Sequence, residues 1–279
     1  MARHQQDQLR FDGRVAVVTG SGGGLGREYA LLLGRRGARV IVNHLSNAAT
    51  ESTVQQIIAE GGEAVGCPGS VAERSTAKRI IQTAIDTFGK IDIVINNAGT
   101  GRFSSFEECD DDLYHLMVSS HLYGSWAVTQ EAWPHLQRQK HGRIVMVTST
   151  AALGQPHSEA YGAAKGAIIG LMRCLAVDGA KYGINVNALA PGGYTPTTDT
   201  EVKDEAMART MKKFLPTHSV APTPVWLAHE DCSGTGEIIG GFGPSFFRYF
   251  IGQTNGFVSR VDGFSVEVVD SGNFYVGNI

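Results

Sequence analysis

Tyr161 and Lys165 are the two residues whose types and spacing best suit proton transfer. They open an apolar-periodic stretch that predicts a helix, and four residues apart they lie on one helix face. Because a nearby positive charge stabilises an ionised phenol, the lysine would lower the pKa of the tyrosine from its usual value of about 10. Such a tyrosine can give or take a proton near neutral pH. The competing interpretation is an exposed pair on an amphipathic helix, and the rest of the chain decides between them.

Strand and helix patterns alternate from about residue 14 to about residue 190. Short runs rich in β-branched residues predict strands at 15–18, 39–42, 63–67, 91–95, 143–147 and 184–188. Apolar strands separated by helices indicate a parallel sheet that is covered on both faces. Right-handed crossovers then predict an α/β fold with a doubly wound parallel sheet, a Rossmann fold in a single domain. Ligands of such sheets bind beyond the carboxyl ends of the strands.

A glycine-rich segment, residues 19–26, follows the first strand and opens the first helix. Glycines let the backbone approach a phosphate, and a helix N-terminus offers unpaired N–H groups to it. The spacing is neither the usual GxGxxG nor a Walker loop, which would continue with Lys-Ser/Thr. Its position between a strand and a helix still favours a pyrophosphate site over a turn without a ligand. The candidate binding residues are Gly20, Ser21, Gly24, Leu25 and Gly26.

Five motifs occur in the order and near the spacing of one protein family. They are the glycine segment 19–26, Asn96-Asn-Ala-Gly99, Ser149, Tyr161-x-x-x-Lys165 and Pro191-Gly192. Over about residues 9–240 the chain therefore resembles the classical short-chain dehydrogenase/reductase family. The segments 121–124, 132–135 and 226–230 are similar to one branch of it, which contains the hydroxyacyl-CoA and 17-beta-hydroxysteroid dehydrogenase units of multifunctional enzymes.

The resemblance implies an NAD(P)-dependent oxidoreductase that interconverts a secondary alcohol and a ketone. Tyr161 would be the general acid/base while hydride moves to or from nicotinamide C4. Ser149 would bind the substrate oxygen, and Lys165 would hold the nicotinamide ribose. Thr148 and Thr150 also carry hydroxyls, but counting along the preceding strand selects Ser149. The alternative for Ser149 is a hydroxyl that only caps the strand end.

His121 stands where the family usually has an asparagine that kinks the long helix 111–138 and holds a water near the lysine. A histidine can also bind water and could titrate near neutral pH. His121 is therefore a candidate catalytic residue in a proton relay. The open alternative is that the histidine is a tolerated replacement of the asparagine.

The end of the second strand bears on the choice of cofactor. NAD-specific members usually carry an acid there, and His44 takes its position here. Nothing there repels a 2′-phosphate, which His44, Ser46 and Asn47 could bind, although the glycine segment contains no Arg or Lys before its helix begins. We expect NADP(H) or NAD(H), and favour NADP(H). The resemblance extends the set of cofactor contacts to Asn43, Ser70, Val71, Asn97, Ala98, Gly99, Tyr161, Lys165, Pro191, Gly192 and Thr195.

The alternation of strand and helix patterns weakens after Pro191. Residues 193–218 predict a helical lid over a substrate pocket within a main domain of residues 1–240. Residues 241–279 are rich in glycine and aromatics, so we expect a C-terminal extension that packs on the pocket or on a neighbouring subunit. Lid and extension together favour a bulky apolar substrate: a steroid, a polycyclic or polyketide-like ketone, or a 3-hydroxyacyl thioester.

The net charge, the cysteines and the apolar runs bear on which binding partners and which location to expect. A net charge of −3, from 24 basic and 27 acidic residues, indicates neither a nucleic-acid surface nor a polybasic membrane patch. The four cysteines lack metal-ligand spacing, so we expect no metal centre. Without a signal peptide or a membrane-length apolar run, we expect a cytoplasmic protein that acts on a small molecule. The family resemblance implies a homodimer or homotetramer.

A second hypothesis is a non-catalytic NAD(P)-binding regulator that senses redox state on the same fold. His121 and the missing ribose acid suggest it, because a fold alone does not determine function. It predicts that the chain binds cofactor and oxidises no alcohol.

Overall fold

The computed structural model describes residues 8–195, 198 and 204–253 and contains an eight-stranded sheet. Its strands are β1 Val15–Val18, β2 Arg39–Val42, β3 Glu63–Gly66, β4 Ile93–Asn96, β5 Gly142–Val147, β6 Ile184–Gly192, β7 Ile238–Phe242 and β8 Ser245–Tyr249. They lie in the order β3-β2-β1-β4-β5-β6-β7-β8, and all neighbours are parallel except β7 and β8. The predicted doubly wound α/β fold is confirmed.

Helices cover both faces of this sheet. They are α1 Gly24–Arg35, α2 Asn47–Ala59, α3 Arg74–Phe88, α4 Asp111–Met117, α5 Gly124–Gln139, α6 Glu159–Gly179, α7 Glu205–Phe214, α8 Thr217–Val220 and α9 Pro222–Leu227. One core cluster joins the sheet to α3, α5 and α6, and includes Ile80, Val128 and Ile168. A second cluster joins the sheet to α1, α2 and α9 on the opposite face. Every residue of β1, β4 and β5 is buried, as expected for strands covered on both sides.

The strand order reverses between β1 and β4, which are neighbours in the sheet although β2 and β3 lie between them in the chain. The loops that leave β1 and β4 diverge at such a point and open a crevice at the carboxyl ends of the strands. The crevice therefore lies where the glycine segment meets Asn97.

The segment predicted as one long helix is divided in the structure. Val118–Tyr123 form a π-helical turn between α4 and α5, and His121 lies within it. Wide turns of this kind concentrate at functional sites because they shift the side chains that follow by one position. The flanking residues Met117 and Gly124 keep right-handed helical backbone angles, so the helix continues through the turn without a break.

Helix α6, with the short turn that follows it to Tyr182, is long and apolar enough to cross a membrane by length and composition alone. In the structure Ile168 and Met172 are fully buried in the core cluster against the sheet. Lys165 is buried on the same helix. We therefore interpret α6 as a core helix.

The C-terminal part of the chain extends the sheet. Residues 241–249, which we assigned to the extension, complete β7 and form β8. The chain divides into two compact units, residues 1–249 and 250–279. Lid residues 196–197 and 199–203 and extension residues 254–279 lie outside the described part of the chain. The packing of the extension on the pocket or on a subunit therefore stays a prediction.

Candidate active site

A cavity of about 540 Å³ lies at the carboxyl ends of β1, β4, β5 and β6. Among the described residues that line it there is no carboxylate, and Lys165 is the one lysine or arginine. A cavity of this composition suits an anionic ligand, because no fixed negative charge opposes it. Of the predicted residues, it brings together Gly20, Gly24, Leu25, Asn43, His44, Ser70, Val71, Asn97, Ala98, Gly99, His121, Ser149, Tyr161, Lys165, Pro191 and Thr195.

The glycine segment forms the phosphate end of this cavity. Gly20 has a φ of +65°, and a Cβ there would lie 2.8 Å from the Cα of Ala98. A Cβ on Gly26 would collide with the side-chain amide of Asn97 and the carbonyl of Gly20. Helix α1 starts after Gly23, with no side-chain cap and no acid in its first turn. Its first N–H groups are thus available to an anion, and the residues fit a dinucleotide pyrophosphate.

Thr19 and Asn97 tie the glycine segment to the loop after β4. The hydroxyl oxygen of Thr19 accepts hydrogen bonds from the backbone N–H groups of Asn97 and Ala98, both at 3.0 Å. The amide of Asn97 donates back to the carbonyl of Thr19 at 3.0 Å. Asn97 therefore holds two loops in register, and Ala98 and Gly99 line the cavity.

The structure separates the three hydroxyls at the end of β5. The hydroxyl of Thr148 is buried and donates to the carbonyl of Lys165 at 2.7 Å. Thr150 begins a short 3-10 turn and is absent from the cavity lining. Ser149 lines the cavity, and its oxygen accepts from the N–H of Ala151 at 3.2 Å. Because that bond leaves its proton free to be donated, Ser149 has the geometry to bind a substrate oxygen.

Tyr161 and Lys165 project from the first turns of α6. Lys165 is 4% exposed, and its Nζ donates to the carbonyl of Val147 at 2.7 Å. Burial lowers the pKa of Lys165 from 10.5 to about 7. The Nζ atom lies 5.6 Å from the centroid of the Tyr161 ring. The tyrosine ring packs edge-on against Phe103 at 5.5 Å and against His121 at 5.2 Å.

His121 is buried beside this pair as a neutral imidazole. Its Nε2 lies 2.8 Å from the carbonyl of Thr100, which can only accept, so Nε2 carries the proton. Its Nδ1 is a buried acceptor with no partner among the described residues. Burial, and secondly the charge of Lys165, lower the pKa of His121 to about 3. The idea that His121 titrates near neutral pH is thus wrong, and a hydrogen-bonding role remains.

Four predicted cofactor residues do not line the cavity. Ser21 is buried and bonds the ends of β1 and β2 through the carbonyls of Val18 and Asn43. Ser46 caps α2, Gly26 packs on Asn97, and Gly192 lies against the ring of Phe242. Asn43 does line it, but its amide donates to the carbonyls of Cys67 and Gly69. These five residues therefore support the wall of the cavity.

Sequence reasoning missed the apolar wall beside Tyr161. Phe103 and Leu116 line the cavity, as do Ser119 and Ser120 in the π-helical turn. Phe103 lies four residues beyond Gly99, and an aromatic residue so close to a strand-end motif was an available signal. Ser119 and Ser120 gave none, because their orientation depends on the wide turn.

Residues 14–208 match the model of the short chain dehydrogenase family. The chain belongs to this family. It is 40% identical over 240 residues to peroxisomal multifunctional enzyme type 2 of Mus musculus, covering 82% of our chain and 32% of that protein. The chain thus spans about a third of that relative's length, and the resemblance to the multifunctional-enzyme branch is confirmed.

Solved structures agree. A short-chain dehydrogenase from Mycobacterium avium superposes with a TM-score of 0.82 at 31% identity, over 94% of both chains. A 7 alpha-hydroxysteroid dehydrogenase in complex with NADH and 7-oxo glycochenodeoxycholic acid superposes with a TM-score of 0.79 at 26% identity, over 85% of our chain and 96% of that chain. As a short-chain dehydrogenase, the protein is an NAD(P)-dependent alcohol dehydrogenase or ketoreductase.

Proposed function

We propose that this dehydrogenase interconverts a secondary alcohol and a ketone on a bulky apolar substrate, with Tyr161 as the general acid/base. The observation that carries the proposal is the position of Tyr161 beside the buried Lys165, in the same cavity as Ser149. A proton donor, a hydroxyl that can bind the substrate oxygen and a cationic group thus meet at one point. This is the arrangement that carbonyl reduction requires.

The chain's own residues would divide the work as follows. The loop of Gly20 and Gly24 holds the pyrophosphate, while Lys165 and Thr195 hold the nicotinamide end. The dinucleotide supplies or accepts the hydride when bound. Ser149 donates to the substrate oxygen and orients it, and Tyr161 transfers the proton at that oxygen. With a pKa of about 7, Lys165 can pass between charged and neutral forms near working pH and stabilises an ionised tyrosine when charged.

Exposed apolar side chains in the cavity lining, in the turn after Ser149 and in the predicted lid support a bulky apolar substrate. Phe103 lines the cavity at 37% exposure, and Leu153 ends the turn that Ser149 caps, at 63% exposure. Met207 and Phe214 of α7, in the predicted lid, are also exposed. Such groups are expected to be covered in a substrate complex. The substrate classes proposed are a steroid, a polycyclic or polyketide-like ketone, or a 3-hydroxyacyl thioester, and the 7-oxo steroid named in one neighbour's complex supports the first.

The cofactor preference that we propose is NADP(H). The support is the carboxylate-free lining of the cavity and His44 in the place of a ribose-binding acid. An acid there would repel a 2′-phosphate.

Assembly and location are proposed on similarity. Members of the family are commonly oligomeric, and we propose a homodimer or homotetramer. Two large side chains on α5 and α6, Trp126 and Val177, are 48% and 77% exposed and are available for such contacts. A cytoplasmic location stays a prediction, because multifunctional relatives are named peroxisomal.

Replacing the tyrosine hydroxyl tests the proposal. Tyr161→Phe should lower kcat/KM for ketone reduction by about 10²-fold to 10⁴-fold, the usual contribution of a general acid. The dissociation constant of the cofactor, measured by fluorescence titration, should change little. Unchanged turnover would remove Tyr161 from catalysis. Cofactor binding without turnover of any substrate by the wild-type protein would favour the redox-sensing regulator instead.

A further inference from the structure

The loop after β4 that lines the cavity is held at two points by hydrogen bonds. At its start, Nε2 of His121 donates to the carbonyl of Thr100 at 2.8 Å. At its end, the backbone N–H of Ser104 donates to the carbonyl of His157 at 3.1 Å. Phe103 lies between these two bonds, next to the second one. The loop is therefore tied to the π-helical turn on one side and to the segment before α6 on the other.

The backbone of His157 is in the left-handed region, with a φ of +57°. Lys140 is the one other residue with a positive φ that is not a glycine, among the residues described. This region is unfavourable for a residue with a Cβ, and it persists only where surrounding contacts hold it. Because the side chain of His157 is exposed, packing of the imidazole does not supply those contacts. The hydrogen bond from Ser104 to the backbone carbonyl is one that does.

Both points at which the loop is held lie next to Tyr161. The ring of Phe103 contacts the tyrosine edge-on, with the ring centroids 5.5 Å apart and the planes at 76°. His121, which holds the start of the loop, contacts the same ring at 5.2 Å. Edge-on pairs are a preferred aromatic geometry, because the positive edge of one ring meets the negative face of the other. The loop thus applies two oriented contacts to the ring of the proposed general acid/base.

We infer that Phe103 is a positioning residue for Tyr161, and that the hydrogen bond from Ser104 to the strained His157 holds Phe103 against the tyrosine ring. This bond joins the loop to the segment that leads into α6, the helix that carries Tyr161. Phenylalanine and tyrosine are therefore tied to the same element. Orientation matters because a displacement of about 1 Å at a reacting group can lower a rate by about 10²-fold. The inference rests on the proposed function, since it concerns how the proton-transferring ring is oriented.

Steady-state reduction of a small and a bulky ketone separates positioning from substrate binding. Phe103→Ala should lower kcat by about 10-fold to 10²-fold with cyclohexanone as well as with a steroid ketone, because the tyrosine serves both. Phe103→Tyr keeps an aromatic ring and should recover most of the wild-type kcat. A loss confined to the KM of the steroid ketone would make Phe103 a wall of the substrate pocket only, and would overturn the inference.

The two positions with a positive φ provide a matched pair of variants for the hydrogen bond. A β-branched residue is strongly disfavoured at positive φ, so His157→Val should turn the carbonyl away from Ser104 and lower kcat by about 10-fold. Lys140→Val introduces the same strain directly after α5, at a residue that does not line the cavity. It should leave kcat at the wild-type value. Equal kcat values in the two variants would contradict the role given to the bond.

The position of the tyrosine ring can be read without turnover. NMR resonances of the ¹³C-labelled Tyr161 ring, assigned by their loss in Tyr161→Phe, sense the neighbouring Phe103 ring. His157→Val should shift them in the same direction as Phe103→Ala, whereas His157→Gly adopts a positive φ without strain and should keep them in place. Unchanged resonances in His157→Val, or equal shifts in His157→Gly, overturn the inference. Failure of the wild-type protein to reduce any ketone would instead overturn the proposed function, whereas turnover that is indifferent to Phe103 and His157 overturns this inference alone.

Discussion

Two ionisable side chains of the active site, Lys165 and His121, have pKa values lowered by burial. The cost of burying Lys165 is partly offset by its hydrogen bond to the carbonyl of Val147. His121 keeps one hydrogen bond, to Thr100, and its Nδ1 is a buried acceptor that no residue in the described part of the chain pairs. An unpaired buried acceptor costs about 1 to 3 kcal/mol, which suggests that a donor from water or ligand reaches it in the working enzyme.

The pKa of His121 predicts a pH dependence of stability. The value is about 3 in the folded protein and 6.5 in the unfolded chain, so between these values the unfolded chain binds more protons. The contribution is fully present above pH 6.5 and is lost as the pH falls towards 3, by a few kcal/mol in total. His121→Asn should flatten the curve of unfolding free energy against pH in this window, measured by urea titration.

An exposed histidine provides the control for that measurement. His115→Asn removes an exposed imidazole that lies outside the core, six residues before His121. It should leave the slope between pH 3 and pH 6.5 close to that of the wild-type protein. Equal slopes for His121→Asn and the wild-type protein would show that His121 is not buried as a neutral group.

At the scale of elements, close backbone approaches build the cofactor site. The glycine segment touches the loop after β4 at Gly20 and Gly26, and Asn97 bonds the two together. The π-helical turn is a second such approach, because a Cβ on Gly99 would overlap the ring of His121. At each of these glycines, a neighbouring side chain or a bound phosphate can lie closer to the backbone than a larger residue would allow.

Gly26 and Gly23 form a matched pair for testing the loop. Gly26→Ala places a methyl group against Asn97 and the carbonyl of Gly20, and should lower the free energy of unfolding by about 1 to 3 kcal/mol. It should also weaken cofactor binding. Gly23→Ala has nothing within 4 Å of the new Cβ and an extended φ of −164°, so stability should change little. Denaturant unfolding distinguishes the two, and equal losses would contradict the packing described.

Local patterns predicted the elements that carry the catalytic residues, but they missed the π-helical turn and strand β8. The spacing of Tyr161 and Lys165 was sufficient to place both on one helix. The glycine segment was sufficient to mark the start of the first helix. The π-helical turn around His121 was missed, because a change from α-helical to π-helical winding leaves no distinct residue pattern in the sequence. Strand β8 pairs with β7 across the turn at 243–244, and it was missed because its residues at 245–248 are all exposed and give no alternating pattern.

At the scale of the whole molecule, the active site exists only in the folded chain. It combines the ends of β1, β4, β5 and β6 with the N-terminus of α1, the π-helical turn and α6, from positions up to about 170 residues apart along the chain. A ligand that bridges these parts binds the folded state and not the unfolded one. Cofactor binding should therefore be visible as global stabilisation.

Thermal unfolding with each dinucleotide measures that stabilisation. At 100 times its dissociation constant a ligand adds about 2.7 kcal/mol, which raises Tm by about 5 to 10 °C for a chain of this size. Both dinucleotides should raise Tm at saturation, and NADP⁺ should do so at the lower concentration. A Tm that is insensitive to both would contradict the assignment of the cavity as the dinucleotide site.

The transfer of a labelled hydride tests the central claim most directly. The protein is incubated with NADPH or NADH carrying deuterium at nicotinamide C4 and with a panel of steroid ketones, bicyclic ketones and 3-oxoacyl thioesters. Mass spectrometry of the products should show deuterium on a new carbinol carbon with the wild-type protein, and at least about 10²-fold less product with Tyr161→Phe. Tight cofactor binding with no deuterated alcohol from any substrate, or equal product from the Tyr161→Phe variant, would contradict the account.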